Sequence, residues 1–353
     1  MRSGRSNANL NVLDSRACRI PATSLFVAAL IFSAAFAEDR VTYSTGKDDR
    51  GRATLTGTIV EYTGQKLVLR AAGGGEQPIA AQRVISVQTD WPPRKVAGDQ
   101  LFVEGKYDGA LGAYVEALRA EPRGWAQRQI LADCVKCLKQ LGRIEQAGDA
   151  FLRLVQSDPD TLHFNLIPLS WQAEQPSPQR EQKALAWMHN TSSETARLIG
   201  ASWLLAAAHR APAIETLRGL TAGAQPRVAS LAEAQLWRTR IAVADDEELR
   251  RWQDMVGKMP AEVRAGPYFV LGQGLAARGQ SRQAALALLR IPILYADGDR
   301  PLSAAALLSA ARELEKIGST HEAASLYREI SRDYADTPAA GQSSARLDRI
   351  EAE

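Results

Sequence analysis

The stretch from Gln127 to Pro159 admits one local fold, a pair of helices joined by a sharp turn. Leu131, Cys134, Val135 and Leu138 recur at helical spacing and share one face. Gly142 breaks the pattern where the chain must reverse, because glycine reaches backbone angles closed to other residues. Ile144, Ala147, Phe151 and Leu154 form the inward face of a second helix, and Pro159 ends it. The unit repeats. Ala110, Tyr114 and Pro122 stand 37 residues before Ala147, Phe151 and Pro159, and Gly105 precedes Gly142 by the same step. Near the C-terminus, Tyr268, Leu271, Gly272, Gly279, Ala284 and Leu288 form a third unit. Leu307, Ala311, Leu314, Gly318, Ala323 and Tyr327 form a fourth, with Ala323 39 residues after Ala284. Alanine at a helix crossing allows close approach, and an aromatic ring fills the space toward the next pair.

An Ala-x-x-x-aromatic step followed by proline is the second half of the tetratricopeptide pattern, and these four units resemble tetratricopeptide repeats (TPRs). The resemblance implies a mainly α protein, a TPR-like α-solenoid whose first helices line a concave face. In that family the face holds an extended peptide or a partner helix. Carried over by position, the groove candidates are Asp99, Phe102, Val103, Gln129, Lys136, Lys139, Gln140, Gln273, Arg312, Glu315 and Lys316. Phe102 would anchor apolar groups, and Lys136 and Lys139 would favour an acidic side chain or a terminal carboxylate.

Between the clear units the pattern is eroded. Spacing still predicts helices over 181–190, 193–209, 212–220, 228–243 and 247–259, and these read as degenerate repeats. The segment from His163 to Pro178, with prolines at 168, 176 and 178, reads as a break or insertion. The ending Tyr334-x-x-Thr337-Pro338 and the polar helix after it resemble the capping helix of bacterial cell-envelope repeat proteins.

Before Trp91 the period is two. Val41–Tyr43, Thr54–Tyr62, Lys66–Arg70, Glu76–Ala81 and Val84–Gln88 read as short strands separated by glycine turns. Five such strands can close on themselves and lose their edges, and their rhythm resembles a small Sm-like or SH3-like β-barrel. Pro92 and Pro93 mark the boundary to the helices. The expected division is therefore 1–37, 38–90 (barrel), 91–160 (two clear repeats), 161–264 (degenerate repeats) and 265–353 (two clear repeats and a cap).

Residues 1–37 read as a secretory signal: arginines, then the apolar run Leu25–Phe32, then Ala35 and Ala37 flanking Phe36. The apolar run is short for a span, so no transmembrane segment is expected after cleavage. An uncleaved anchor is the other reading of the same segment. Of 43 basic and 40 acidic residues, four arginines and one aspartate lie in 1–37, leaving 39 of each. A neutral remainder gives no overall field for a polyanion, so nucleic acid is not an expected partner. The expected setting is the periplasm or cell envelope, among envelope complexes, with another protein or peptide as the partner.

Catalytic motifs are few. Cys134-x-x-Cys137 is the one redox-like spacing, but both cysteines fall well inside a helix and Cys134 takes an apolar repeat position. The four histidines, at 163, 189, 209 and 321, are scattered singly, so no metal site or cofactor is expected. Gly73–Gly75 precedes a strand rather than a helix and reads as a hairpin loop. Asp245–Glu248 reads as the acidic first turn of a helix. Trp171, Trp187, Trp203, Trp237 and Trp252 crowd the eroded middle and read as core. The residues thus predict a non-catalytic scaffold. Two alternatives stay open: RNA or ligand binding on the barrel, and thiol–redox chemistry at Cys134 and Cys137.

Overall fold

The computed structural model describes residues 38–46, 51–295 and 299–352. The expected signal segment, 1–37, lies outside them. The described chain is mainly helical, with fourteen α-helices after a five-stranded antiparallel sheet.

The sheet runs β4-β3-β2-β1-β5, from β1 (Asp39–Thr45), β2 (Gly51–Tyr62), β3 (Lys66–Arg70), β4 (Glu76–Ala80) and β5 (Val84–Gln88). Strand β2 serves two partners. Its first half pairs with β1 and its second with β3, and a bulge between Ile59 and Glu61 bends it. A single 3-10 turn, Ala81–Arg83, carries the chain from one sheet edge to the other. Val41, Ile59, Leu67, Leu69 and Ile79 fill the concave side, and Trp125 and Ala126 from the helices complete that cluster. Sheet and helices therefore share a core. Gly64 approaches the loop after Ser157 so closely that a Cβ there would lie 1.6 Å from the Asp160 carbonyl oxygen.

The first four helices form two hairpins, α1 (Pro93–Val103) with α2 (Tyr107–Ala120) and α3 (Gly124–Gln140) with α4 (Ile144–Ser157). Then come α5 (Pro178–Met188), α6 (Glu194–Leu204), α7 (Arg210–Thr221), α8 (Pro226–Trp237) and α9 (Asp246–Lys258). The last are α10 (Ala265–Ala277), α11 (Ser281–Leu294), α12 (Arg300–Lys316), α13 (Thr320–Asp333) and α14 (Pro338–Ala352). Alternate helices also pack on one another, α6 on α8, α8 on α10, α10 on α12 and α12 on α14.

The four sequence units close in the same way. Gly105, Gly142, Gly279 and Gly318 all take positive φ, between 66° and 78°. In each turn the glycine amide bonds to the carbonyl three residues back, and the next amide bonds five back, as in Lys106 to Leu101 and Arg143 to Leu138. This double bond satisfies the orphan carbonyls at a helix end and needs the left-handed geometry glycine supplies. Ala110, Ala147, Ala284 and Ala323 are all fully buried at the crossings. The five middle tryptophans are buried too, and Trp237 stacks on Trp252 at 5.1 Å. Asp245 caps α9 by accepting from the Glu248 amide, the role read for that acidic run.

Two expected helices end early. The spacing carries them to His209 and Val243, yet α6 stops at Leu204 and α8 at Trp237. The Ser202 carbonyl, which a longer α6 would bond to Ala206, instead accepts from the Arg238 guanidinium at 3.0 Å. One long-range contact also crosses the molecule. Lys139, near the end of α3, forms a buried 2.9 Å ion pair with Asp299, which caps α12.

Candidate functional site

The segment between α4 and α5 is a buried strap rather than a loose insertion. Phe164, Leu166, Ile167, Leu169, Ser170 and Trp171 are all buried, while Gln172–Gln175 are exposed. Prolines at 159 and 168 favour extended backbone before them, so the strap cannot satisfy itself as a helix. Side chains from other elements take over that task. On α6, Ser202 Oγ accepts from the Ser170 amide at 2.9 Å and donates to the Ser170 carbonyl at 3.2 Å. Gln235 on α8 donates to the same carbonyl at 3.1 Å. The Trp203 indole donates to the Pro168 carbonyl at 2.9 Å, and Arg238 donates to the Gln172 carbonyl at 2.8 Å. Arg227, at the start of α8, donates to the carbonyls of Thr161 and Pro159. Buried polar backbone without partners would cost about 1–3 kcal/mol per group, so this grip is what lets an extended chain sit there. It reads backbone, not side chains. Trp171 then packs directly against Gly266 of α10, where a Cβ would fall 2.0 Å from its ring.

Where the strap leaves, a cavity of about 540 Å³ opens. Trp171 and Ala173 form one end of it. The early ends of α6 and α8 line it with Leu205, Arg238, Thr239 and Ile241, and α7 adds Arg210. From α10 and α12 come Gln273, Arg312, Glu313 and Lys316. Burial first, and the Arg210 charge second, pull the Arg238 guanidinium down to about 10. Glu313 is buried and accepts from Lys316 at 2.5 Å. A smaller cavity of about 190 Å³ lies against Trp171, Tyr295 and Asp299.

The groove candidates separate into two groups. Gln273, Arg312 and Lys316 meet at the large cavity, while Glu315 turns to Arg346 of α14 at 2.6 Å. The others do not meet there. Lys139 is buried against Asp299, so it offers no charge to a ligand; its partner comes from a region that sequence spacing does not connect to it. Lys136 pairs with Asp133 at 3.0 Å, and Asp99 accepts from Lys95 and the Tyr114 hydroxyl. Gln129 bonds His163 of the strap at 2.9 Å. Burial, with the Lys136 charge adding to it, brings His163 down to about 4, so it stays neutral in the fold. Phe102 packs edge-on to Tyr107, Gln140 is half-buried and Val103 is 87% exposed. Arg210, Arg238 and Trp171 were not read as site residues. They sit in the eroded middle, where no repeat register assigns them a face.

Cys134 and Cys137 are free, buried thiols. Burial, then neighbouring negative charge, pushes both up to about 12. At pH 8 the thiolate fraction is then roughly one in ten thousand. Iodoacetamide at that pH is expected to leave both unmodified in the native protein and to alkylate both in guanidinium. Peptide mapping checks this, and native labelling at the rate of a free thiol would bring the redox reading back.

No protein-family model matches the sequence, and no curated protein is significantly similar to it. Among the described residues, no helix is long and apolar enough to cross a membrane.

Proposed function

We propose that this protein is an exported, non-catalytic scaffold of the cell envelope. In this reading the helices form a TPR-like α-solenoid, the sheet is a small SH3-like or Sm-like barrel that caps it, and a partner protein lies along the first helices. One observation carries the reading: side chains of α6 and α8 already hold an extended polypeptide, the strap, by its backbone. The array thus seats one extended segment by its backbone, and a partner's extended segment would be held in the same mode. The four matched glycine caps support the repeat architecture, because identical turns set a constant step between hairpins. The cavity beyond Trp171 leaves room where the strap ends.

Site-specific photocrosslinking in cells tests this. A photoreactive residue at Gln273 or at Thr239, both on the cavity, is expected to give the same discrete protein adduct in the envelope fraction. At Leu286, exposed on α11, it is expected to give none. Adducts from Leu286 alone, or adducts confined to cytosolic protein, would reject the reading.

A further inference from the structure

Three guanidinium groups face the large cavity, and none has a carboxylate within ion-pair distance among the described residues. Arg210 is exposed, and its guanidinium makes no hydrogen bond or ion pair among the described residues. Arg238 gives its hydrogens to the Ser202 and Gln172 carbonyls and to the Gln235 side-chain oxygen. Arg312 donates to the Gln342 amide oxygen at 2.7 Å, and the nearby Glu315 is already taken by Arg346. Lys316 spends its charge on Glu313. Elsewhere some part-buried arginines are paired with carboxylates, Arg123 with Glu121, Arg180 with Glu145 and Arg300 with Asp336, while Arg128 and Arg264 donate to backbone carbonyls with no ion pair among the described residues. What sets the cavity apart is that three such charges gather on one wall, Arg210 and Arg312 exposed and Arg238 half-buried, and an anion held among them would offset their repulsion.

We propose that this cavity binds a small organic polyanion, clasped by Arg210 and Arg312 with the charge of Arg238 behind them. The planar fork of guanidinium matches the two oxygens of a carboxylate or a phosphate, so the ligand's charged groups are of that kind. Against Arg210, Arg238, Arg312 and Lys316 the wall sets Glu313 alone, paired through one oxygen with Lys316, so a ligand of two or three negative charges would balance it. The remaining wall is mixed, with Trp171, Leu205, Ile241 and Leu288 beside Thr239, Gln273 and Ser309, so the ligand also carries a carbon body rather than being a bare ion. About 540 Å³ lies inside the ordinary range for small-molecule sites. The site stands whether or not a partner protein lies along the same helices, because it rests on the arginines and the cavity alone.

Calorimetric titration of the full chain decides it, with benzene-1,3,5-tricarboxylate, citrate, inorganic phosphate and benzoate as probes. The tricarboxylate is expected to bind with a Kd below about 1 mM at low salt, and benzoate at least about tenfold more weakly. Arg210→Glu and Arg312→Glu are each expected to weaken tricarboxylate binding about tenfold or more, with the circular dichroism spectrum and melting curve unchanged. Arg312→Lys keeps the charge and is expected to recover part of the affinity. Saturable binding of phosphate in place of the carboxylates keeps the site and assigns it to phosphate esters. Two results overturn the proposal: no probe saturating below about 10 mM, or the folded Arg210→Glu/Arg312→Glu protein binding like wild type.

Discussion

Trp125→Ala is expected to lower the unfolding free energy by about 3–5 kcal/mol and to let the sheet melt apart from the helices. Trp125 sits in the first turn of α3, yet its ring is counted in the sheet's core with Val41, Ile59, Leu67, Leu69 and Ile79. Its indole donates to the Ile59 carbonyl at 3.1 Å, at the bulge where β2 bends and the ladder is interrupted. Truncation therefore removes a large buried ring and also orphans a carbonyl, and the second loss accounts for about 1–3 kcal/mol of the total. What remains across the junction is largely polar. Gly64 donates to Asp158, Gln65 to Asp160, and Arg128 to the Tyr62 carbonyl. Part-exposed bonds of this kind are worth about 1 kcal/mol each, so without the ring they couple the sheet to the helices only weakly. Denaturant unfolding followed separately by strand and helix signals checks this. Two separated transitions are expected for Trp125→Ala. Trp125→Phe, which keeps most of the burial and loses the bond, is expected to keep one transition at a midpoint between the two. A loss under about 1 kcal/mol for Trp125→Ala would mean the junction is held by something else.

The sequence announces what repeats and hides what does not. Gly105, Gly142, Gly279 and Gly318 were readable as turns because each follows a helical apolar face and precedes a buried alanine by a fixed step. The strands were readable because Ile59, Leu67, Leu69 and Ile79 alternate with exposed neighbours or follow glycine turns. Local pattern carries that information, and local hydrogen bonds realise it. The strap has no period. Phe164, Leu166, Ile167, Leu169 and Trp171 look like an irregular apolar run between prolines, and their partners Ser202, Gln235 and Gly266 lie 30 to 100 residues onward. Nothing near a serine on an apolar helix says that it will hold another segment's backbone. The same holds for the early helix ends. The alanines after Leu205 favour continued helix, and only the Arg238 guanidinium arriving from α8 changes the outcome. Lys139 met the same limit, since Asp299 is 160 positions away. Arg312 is legible from the repeat register of α12, but Arg210 and Arg238 reach the cavity only because α6 and α8 end where they do, so that part of the site has no signal in the sequence.

Gly266→Ala is expected to cost about 3 kcal/mol and to loosen the strap before anything else opens. Glycine at this place is not a matter of backbone angle. It leaves the hole into which the Trp171 ring fits, with the missing Cβ lying 2.0 Å from two ring carbons. A methyl group there needs well over an ångström more. The ring cannot retreat along the strap, because the residues on both sides of it are tied down: Ser170 by Ser202 and Gln235, and Gln172 by Arg238. Either those bonds break or α10 shifts, and α10 is packed against α8, α9, α11 and α12. The strap is the weaker side, since its hold is a few hydrogen bonds and one face of apolar contact. Amide exchange is therefore expected to rise over residues 164–172 in Gly266→Ala while α10 and α12 keep their protection. Trp171→Ala alone is expected to cost about 3–5 kcal/mol, the usual loss for a buried tryptophan. The double variant separates the two causes. Once the ring is gone the added methyl has nothing to strike, so Gly266→Ala in the Trp171→Ala background is expected to cost under about 1 kcal/mol. Additive losses would show that the methyl strains α10 against its helix neighbours. Coupled losses mean that the fit of one ring over one glycine keeps the strap seated and, with it, one end of the cavity closed.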